Sequence, residues 1–353
     1  MSKTKKVVRL AILGTGRMAD FHAERFREVP NCQMLAAVDV DQARAEAFCK
    51  KHGIPVAYTD LEEVLARPDI DGVSNVTPDA FHAPLSIKCL QAGKHVLCEK
   101  PLALNYADAR RMVAVANKSG RINMINLSYR DWSCIQGVAS LVQRGGLGEM
   151  RHVEASYLQS WLPSKIWGDW RTTPTWLWRL STSHGSKGAL GDVGVHIIDF
   201  ATYPVGHISS VYCRLKAFRK APRDRVGEYV LDANDSAVLS IEFKNGALGT
   251  IHTTRWAGGH INRLYLKISG TKGSVEIDSE RTTSGYRISV GTDLDKGLWK
   301  DVTTAPVPNM YRRFVTSILT GKQDQPEFSR GAEIQRILDA CFKSDEEQRP
   351  VRV

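Results

Sequence analysis

The sequence predicts an α/β protein of two domains: a doubly wound parallel sheet at residues 1–127, and a second domain at residues 128–353 that contains an antiparallel sheet. Three observations predict this fold. A short, mostly apolar run from residue 7 enters a Gly-x-Gly-x-x-Ala motif. Strand and helix patterns then alternate over the first third of the chain. After about residue 128 the alternation has period two without crossover helices, which is typical of antiparallel strands.

Composition and charge limit the class of protein. The chain has 353 residues, 42% hydrophobic and 24% charged, which is enough for two domains with buried cores. The net charge is +10, but lysines and arginines are scattered, which argues against a nucleic-acid partner. The seven cysteines lack metal-ligand spacing, so we expect free thiols, no bound metal and a reducing compartment. The apolar run after residues 1–6 is too short for a signal or membrane span, so we expect a cytoplasmic protein without a membrane partner.

The glycine motif lies between the first predicted strand and the first predicted helix. Gly14 allows the tight turn, Gly16 lets a pyrophosphate approach the backbone, and Ala19 lets the helix pack closely on the strand. Free N–H groups at the helix start then face the phosphates, and Arg17 adds a positive charge beside them. The sequence therefore predicts a dinucleotide site; the alternative is an ordinary βα turn that binds nothing.

Asp39 ends the second predicted strand, about 20 residues past the motif, where a carboxylate accepts hydrogen bonds from the adenosine ribose. Its charge would repel a 2′-phosphate, which favours NAD over NADP. Arg44 lies close enough in sequence to leave NADP possible.

In the first domain, strands and helices are separated by residues that cap or stop helices. Asp60 and Asn105 are expected N-caps, and Gly53 and Gly120 are expected helix stops. The predicted strands are 7–13, 34–38, 56–58, 72–76, 95–98 and 122–127, and the predicted helices are 19–27, 41–51, 61–66, 80–92 and 106–118.

The second domain is predicted from alternating strands and two tight connections. Lys244-Asn245-Gly246 is a hairpin signal, and residues 271–273 form another short connection. The predicted strands are 150–159, 209–217, 236–243, 247–254 and 264–269, and the predicted helices are 131–144, 310–319 and 332–342.

Polar residues follow two further strands of the predicted parallel sheet, where ligands of such sheets bind. Asn75-Val76-Thr77-Pro78 follows the fourth strand, with His82 one turn into the next helix. Glu99-Lys100-Pro101 follows the fifth. Lys100 is a candidate for holding a substrate oxygen or relaying a proton; the alternative is a solvated lysine before a turn proline.

Asp192 and His196 stand four residues apart in a run that begins at Gly188. On a helix they share one face, where a carboxylate and an imidazole can bind a substrate hydroxyl and take its proton. Spacing alone favours the alternative, an ion pair on the surface of a helix.

Taken together, these motifs resemble the Gfo/Idh/MocA oxidoreductase family. The resemblance rests on the glycine motif at 14–19, Asn75 to Pro78 with His82, Glu99-Lys100-Pro101 and the run from Gly188 to His196, in this order along the chain. It implies an N-terminal Rossmann domain, a C-terminal α+β domain on a large, open, predominantly antiparallel sheet, and NAD(P)-dependent oxidation or reduction of sugars or polyols in the cleft between the domains. One departure is Ser186-Lys187-Gly188, where the family usually has three glycines, and this puts a family-typical substrate in doubt.

The resemblance also implies site residues. Lys100, Asp192 and His196 become the catalytic set, in which His196 takes the hydroxyl proton, Lys100 holds or relays it, and Asp192 orients the sugar or His196. The expected cofactor-binding residues are Gly14, Gly16, Arg17, Met18, Asp39, Asn75, Thr77, Pro78, His82, Glu99, Lys100 and Arg179. The expected substrate-binding residues are Tyr129, Arg130, Trp161, Trp170, Arg171, Asp192 and His196.

Residues 161–187 contain five of the eight tryptophans and lead into the catalytic run. Indole faces can pack on the apolar face of a sugar, and basic residues among them hint at an anionic sugar. The alternatives are an aromatic core plug or a subunit contact, with solvated charges.

Two other functions stay open beside a sugar or polyol dehydrogenase. One is a redox-neutral glycosidase that uses bound NAD, and the other is a non-catalytic NAD(P)-binding sensor. The presence of Lys100, Asp192 and His196 counts against the sensor. The family usually pairs its exposed sheet face with another subunit, so we expect a homodimer or homotetramer.

Overall fold

A computed structural model describes residues 7–353 and divides them into two compact units. The first unit comprises the described residues up to Ser128 together with 308–335, and the second comprises 129–307 together with 336–353. The first unit thus includes residue 128 and a second segment, 308–335, whereas the sequence analysis assigns 128–353 to one second domain. Residues 1–6, the basic start of the sequence, lie outside the described residues.

Strands and helices alternate along the first pass of the chain through the first unit. They are β1 (Val8–Leu13), α1 (Arg17–Arg27), β2 (Cys32–Val38), α2 (Gln42–His52), β3 (Val56–Tyr58), α3 (Leu61–Leu65), β4 (Gly72–Asn75), α4 (Asp79–Gln91), β5 (His95–Cys98), α5 (Tyr106–Ser119) and β6 (Asn123–Ile125).

The six strands form one parallel sheet in the order β3-β2-β1-β4-β5-β6. This confirms the doubly wound parallel sheet. The strand order reverses between β1 and β4, and ligands of such sheets bind beyond the carboxyl ends of the strands at this point. The glycine turn after β1 and the polar turn after β4 therefore start from neighbouring strands.

Individual capping residues determine where the helices of this unit begin and end. Asp60 and Asn105 each accept a hydrogen bond from a backbone N–H in the first turn of α3 and α5. Gly53 and Gly120 end α2 and α5 in the left-handed conformation, which glycine adopts most easily.

The second unit continues from residue 129. Its elements up to residue 303 are α6 (Ser133–Gln143), β7 (Met150–Gln159), α7 (Pro174–Leu177), α8 (Val195–Val205), β8 (Ile208–Lys216), β9 (Arg225–Val226), β10 (Tyr229–Val230), β11 (Ser236–Phe243), β12 (Leu248–Thr254), β13 (Asn262–Gly270), β14 (Gly273–Asp278), β15 (Gly285–Val290), α9 (Thr292–Asp295) and β16 (Lys300–Thr303). The chain ends with α10 (Met310–Thr320), α11 (Phe328–Glu347) and β17 (Val351–Arg352).

Nine of these strands form one sheet in the order β16-β15-β14-β13-β7-β12-β11-β8-β17. Only β7 and β12 pair in parallel, and the other neighbours are antiparallel. Gly246, with φ of 85°, closes the expected hairpin between β11 and β12, and residues 271–272 connect β13 to β14. The prediction of a predominantly antiparallel sheet is confirmed.

Helix α10 explains why residues 308–335 belong to the first unit. Its apolar side chains Met310, Tyr311 and Phe314 are buried in the same core as Ala23 and Phe26 of α1. The sequence pattern predicted the helix, but not the sheet that it packs against. No helix in residues 7–353 is long and apolar enough to cross a membrane.

Candidate active site

The turn after β1 has the backbone that a dinucleotide site needs. Gly14 has φ of +83°, and a Cβ there would lie 2.9 Å from the carbonyl oxygen of Val76, so the turn requires glycine. Gly16 is the N-cap of α1, has no side-chain cap, and a Cβ there would meet nothing within 4 Å in the described chain. The space beside Gly16 at the start of α1 is therefore open, and Arg17 and Met18 are exposed in the first helical turn.

Asp39 is fixed against this glycine turn. Its Oδ2 accepts hydrogen bonds from the backbone N–H of Thr15 at 2.9 Å and from the Thr15 hydroxyl at 2.8 Å. Arg44 lies 3.4 Å from the other carboxylate oxygen, Oδ1. Burial alone would raise the pKa of Asp39, but these hydrogen bonds and the Arg44 charge hold it below its usual value. The carboxylate thus stays available to accept hydrogen bonds from a ribose.

Asn75, at the end of β4, organises the next turn rather than pointing into open space. It is fully buried, donates to the Ser86 hydroxyl at 3.0 Å, and accepts from the Thr77 hydroxyl at 2.6 Å. Thr77 is half-buried and Pro78 is exposed. Of the expected cofactor residues in this turn, Thr77 and Pro78 are the accessible ones, and Asn75 holds them.

His82 is buried, and both of its ring nitrogens contact carbonyl oxygens. Nδ1 lies 2.6 Å from the oxygen of Pro101, and Nε2 lies 2.8 Å from the oxygen of Thr77. Carbonyl oxygens only accept, so these two contacts favour the protonated ring, in which both nitrogens donate. Burial would lower the pKa of His82, but neighbouring Cys98, Asp79 and the Pro101 carbonyl raise it to about 10. His82, an expected cofactor-binding residue, therefore connects the turn after β4 to the turn after β5.

Glu99, after β5, belongs to a buried hydrogen-bond network. Its Oε1 lies 2.8 Å from His22 Nε2 and accepts from Asn126 Nδ2 at 2.5 Å, while His22 Nδ1 lies 2.8 Å from the Ser74 hydroxyl. Burial would raise the pKa of Glu99, but His22, the Lys100 charge and Asn126 lower it to about 2. The carboxylate of Glu99, an expected cofactor-binding residue, is thus held within this network.

Lys100 follows Glu99 directly and is half-buried. Its backbone N–H donates to Oε2 of Glu99 at 3.1 Å, so the buried network fixes the backbone of the candidate catalytic lysine. His22, Ser74 and Asn126 were missing from the sequence analysis. Nothing in their spacing marks them, because they lie on α1, β4 and the segment after β6.

In the second unit, Asp192 lies in a π-helical turn, Leu190–Gly194, that leads directly into α8. Arg179 Nη1 lies 2.8 Å and Arg255 Nη2 lies 3.1 Å from the same carboxylate oxygen of Asp192, Oδ2. The side chain of Arg255 is completely buried, and those of Arg179 and Asp192 are 28% and 24% exposed. Asp192 is thus clamped by two guanidinium groups.

His196 stands in the first turn of α8 and is 8% exposed. The ring of Tyr129 packs edge-on against it at 4.8 Å, and Tyr157 lies behind at 6.5 Å. The two tyrosine hydroxyls are hydrogen-bonded to each other, and Tyr157 donates to Asn262 Oδ1 at 2.7 Å. Burial, followed by neighbouring Tyr129, raises the pKa of Tyr157 well above its usual value. Tyr129 was expected near the substrate, whereas Tyr157 and Asn262 were missed.

Arg255 was also missed by the sequence analysis. It follows β12 directly, 63 residues from Asp192 in sequence. The only signal in the sequence was an arginine directly after a strand with buried residues. This signal does not show that the arginine pairs with Asp192.

Three expected substrate residues have other roles in the structure. Arg130 is buried and forms a two-pronged ion pair with Asp199, at 2.8 and 2.6 Å, so its guanidinium is already engaged. Trp161 and Trp170 are 2% and 1% exposed and form a core with Leu162, Leu177, Leu180 and Leu231. In the structure, Trp161 and Trp170 are therefore part of a hydrophobic core, which was one of the alternatives for the tryptophan-rich segment. Arg171 is exposed and lies over the Trp170 ring at 4.5 Å.

The structure thus brings the expected residues together in two groups, one in each unit. The first group lies on the turns after β1, β2, β4 and β5, and the second lies around Asp192 and His196. Within residues 7–353, no three histidine, cysteine, aspartate or glutamate side chains are arranged to hold a metal ion.

Two family models match the chain. Residues 8–127 match the model described as "Oxidoreductase family, NAD-binding Rossmann fold", and residues 135–276 match the GFO/IDH/MocA C-terminal domain. The chain belongs to the Gfo/Idh/MocA oxidoreductase family. The resemblance drawn from the motifs is confirmed, and the first unit carries the NAD-binding domain of this family.

Similar proteins of the family include named sugar and polyol dehydrogenases. Levoglucosan dehydrogenase of Pseudarthrobacter phenanthrenivorans is 26% identical, over 95% of this chain and 95% of that protein. Myo-inositol 2-dehydrogenase of Thermotoga maritima is 28% identical, over 78% of this chain and 77% of that protein. A solved complex of levoglucosan dehydrogenase with NADH and L-sorbose superposes with a TM-score of 0.87 at 25% identity, covering 99% of both chains.

Proposed function

We propose that this protein is an NAD(P)-dependent dehydrogenase that transfers a hydride between nicotinamide and a CH–OH group of a sugar or polyol. The observation that carries the proposal is the glycine turn: Gly16 faces open space at an uncapped helix start, and Thr15 fixes Asp39 beside it. The family relatives named for levoglucosan and myo-inositol support a carbohydrate or polyol as the substrate class.

The residues present fit a dinucleotide. Gly14, Gly16, Arg17 and Met18 would hold the pyrophosphate, and Asp39 would accept hydrogen bonds from the adenosine ribose. The negative charge of Asp39 favours NAD, and Arg44, beside it at 3.4 Å, keeps NADP possible. When bound, the nicotinamide ring accepts or returns the hydride.

The chain's own residues would manage the hydroxyl proton. His196, held by the Tyr129 ring, takes this proton from the substrate, because an imidazole titrates near neutral pH. Lys100 holds the substrate oxygen or relays the proton, and its backbone is fixed by Glu99. Asp192 serves in orientation rather than as the base, because one of its oxygens already accepts from two guanidinium groups.

The first experiment is NADH and NADPH formation across sugars, polyols, sugar acids and glycosides, with His196→Ala and Lys100→Ala as variants. We expect turnover within one substrate class and losses of roughly 10²-fold or more in kcat for both variants. The matched control is His207→Ala, which removes an exposed histidine directly before β8 and should keep wild-type kcat.

Two results would contradict the assignment. Full activity of His196→Ala would reject His196 as the base. Cofactor binding without net NADH formation, together with release of reducing sugar from a glycoside, would replace the dehydrogenase by the redox-neutral glycosidase.

We also propose a homodimer that pairs the outer faces of the nine-stranded sheet; a homotetramer would add a second interface. This face carries exposed Val238 and Leu248, in register with His252 and His152 of the neighbouring strands. It also has a cavity of about 690 Å³ lined by side chains of β7, β12, β13 and β14. Light scattering of the wild type and of Leu248→Glu tests this: a monomeric wild type rejects the proposal.

A reducing, cytoplasmic location also fits the proposed activity. All seven cysteines are free thiols, and six of them are buried. Cell fractionation with an antibody against the protein would test the location, and recovery outside the cytoplasm would reject it.

A further inference from the structure

The carboxylate of Asp192 and the guanidinium groups of Arg179 and Arg255 form a cluster with an excess of positive charge. Both arginines meet the same oxygen of Asp192, at 2.8 and 3.1 Å. One negative and two positive charges leave a formal charge of +1. We call these three residues the Asp192 cluster.

Neighbouring charges do not cancel this excess. Asp235 contributes a negative charge near Arg255, but it is paired with Lys220 at 3.1 Å, and both of these side chains are completely buried. Asp232 is exposed and accepts two hydrogen bonds from Thr182, so solvent screens it. The formal charge of the Asp192 cluster is therefore +1, with Arg255 completely buried and with Arg179 and Asp192 partly exposed to solvent.

Donors in the cluster also remain unused. Nε of Arg179 and Nε of Arg255 are buried and have no hydrogen-bond acceptor within residues 7–353. The guanidinium planes lie over the rings of Trp178 and Trp161, at 4.8 and 5.0 Å. One flat face of each group is thus occupied by an indole. Nη1 of Arg255 donates to the carbonyl oxygen of Arg179 at 3.0 Å and Nη2 of Arg255 donates to Asp192, so only the edge of Arg179 is left for a ligand. Arg179, 28% exposed, is the one of the two that solvent can reach.

We propose that the preferred substrate is a sugar acid whose carboxylate binds the accessible edge of Arg179. This inference rests on the proposed function and names its substrate class. A carboxylate matches the fork of a guanidinium with two parallel hydrogen bonds, and its single negative charge balances the excess of +1. A phosphate group carries more charge than the cluster needs, so we favour the carboxylate.

The experiment compares compounds that differ only in the charged group: glucose, glucuronate and glucose 6-phosphate, with further aldose and uronate pairs. For each, kcat/KM is measured, and binding to the enzyme saturated with NADH is measured by calorimetry. We expect roughly tenfold or greater preference for the acid over the neutral sugar, the size of one charge-assisted hydrogen-bond pair. The preference should fall as ionic strength rises, because salt screens partly exposed charges.

Two variants assign the effect to Arg179. Arg179→Gln removes the charge and should bring the acid-to-neutral ratio close to one, whereas Arg179→Lys keeps the charge without the fork and should retain part of it. The control Arg111→Gln removes an exposed arginine that pairs with Asp108 on α5, and should leave the ratio unchanged. If Arg179→Gln fails to fold, the substrate comparison and its salt dependence in the wild-type enzyme still decide the proposal.

The outcomes separate this inference from the proposed function. Turnover of neutral sugars with equal or greater kcat/KM than the acids rejects the inference and leaves the dehydrogenase. Salt-sensitive binding of acids that Arg179→Gln abolishes, without hydride transfer to or from any compound, supports carboxylate binding at Arg179 but rejects the dehydrogenase, and with it the acid as a substrate. A preference for the phosphate, or an Arg179→Gln variant with weaker NADH binding and an unchanged ratio, also overturns the inference.

Discussion

The two groups of candidate site residues are built in different ways. In the first unit, the residues lie on turns that directly follow parallel strands. Hydrogen bonds with uncharged partners fix most of them, such as Thr15 with Asp39 or Asn75 with Thr77, and the exception is Glu99, which His22 contacts from 77 residues away. In the second unit, Asp192 is held by Arg255, 63 residues away in sequence and completely buried. The arrangement of the first group therefore depends mainly on the backbone of the turns. The arrangement of the second group depends on the balance between positively and negatively charged side chains.

The largest expected effect of this difference is on stability. Asp192→Asn removes the only negative charge of the Asp192 cluster and leaves buried Arg255 beside Arg179. We expect the free energy of unfolding to fall by about 4 kcal/mol, because breaking a buried ion pair leaves an uncompensated charge. Urea unfolding at neutral pH measures this loss.

The comparison variant is Asp39→Asn in the first unit. Most partners of Asp39 are N–H and hydroxyl groups, and its one arginine, Arg44, is 54% exposed. We expect a loss of only about 1 kcal/mol. Equal losses of unfolding free energy in the two variants would show that the second group does not depend more strongly on charge balance than the first.

A second prediction concerns the stability of the protein at acidic pH. The pKa of Glu99 is lowered from 4.5 to about 2, so its contribution to stability is present above pH 4.5 and is lost as the pH falls towards 2. Over this range, the wild type should lose about 3 kcal/mol more unfolding free energy than Glu99→Gln. Glu62→Gln, an exposed carboxyl paired with Lys88, is the control and should follow the wild type. Parallel curves for wild type and Glu99→Gln would contradict the prediction.

The same difference explains what the sequence could predict. The glycine turn, Asp39 and the helix caps depend on residues a few positions apart or on the spacing of a strand and a helix, so the pattern shows them. His22 and Asn126 contact Glu99 across 77 and 27 residues of sequence, and Arg255 contacts Asp192 across 63, so no local pattern connects them. The tryptophans of residues 161–187 were a visible signal, but composition alone did not distinguish a core from a sugar platform.

A third prediction separates folding from binding within the glycine turn. Gly14→Ala forces a side chain into a φ of +83° and against the Val76 carbonyl, so stability should fall by about 2 kcal/mol. Gly16→Ala has an ordinary extended backbone and open space, so stability should change by less than about 0.5 kcal/mol. NADH affinity should nevertheless fall roughly tenfold or more in Gly16→Ala, because the methyl group occupies space that the phosphates need. Unchanged NADH binding in Gly16→Ala would reject this turn as the cofactor site.

The smallest expected effect tests whether Trp170 belongs to the core or to the substrate site. Trp170→Phe removes the hydrogen bond from the indole N–H to the Leu162 carbonyl at 3.1 Å and part of the buried ring. We expect stability to fall by about 1 kcal/mol, with KM and kcat unchanged. Trp299→Phe, a half-buried tryptophan outside residues 161–187, is the control for the assay. A KM that rises tenfold in Trp170→Phe, at unchanged stability, would mean that this side chain contacts the substrate. The second unit would then recognise the sugar through its aromatic residues as well as through the Asp192 cluster.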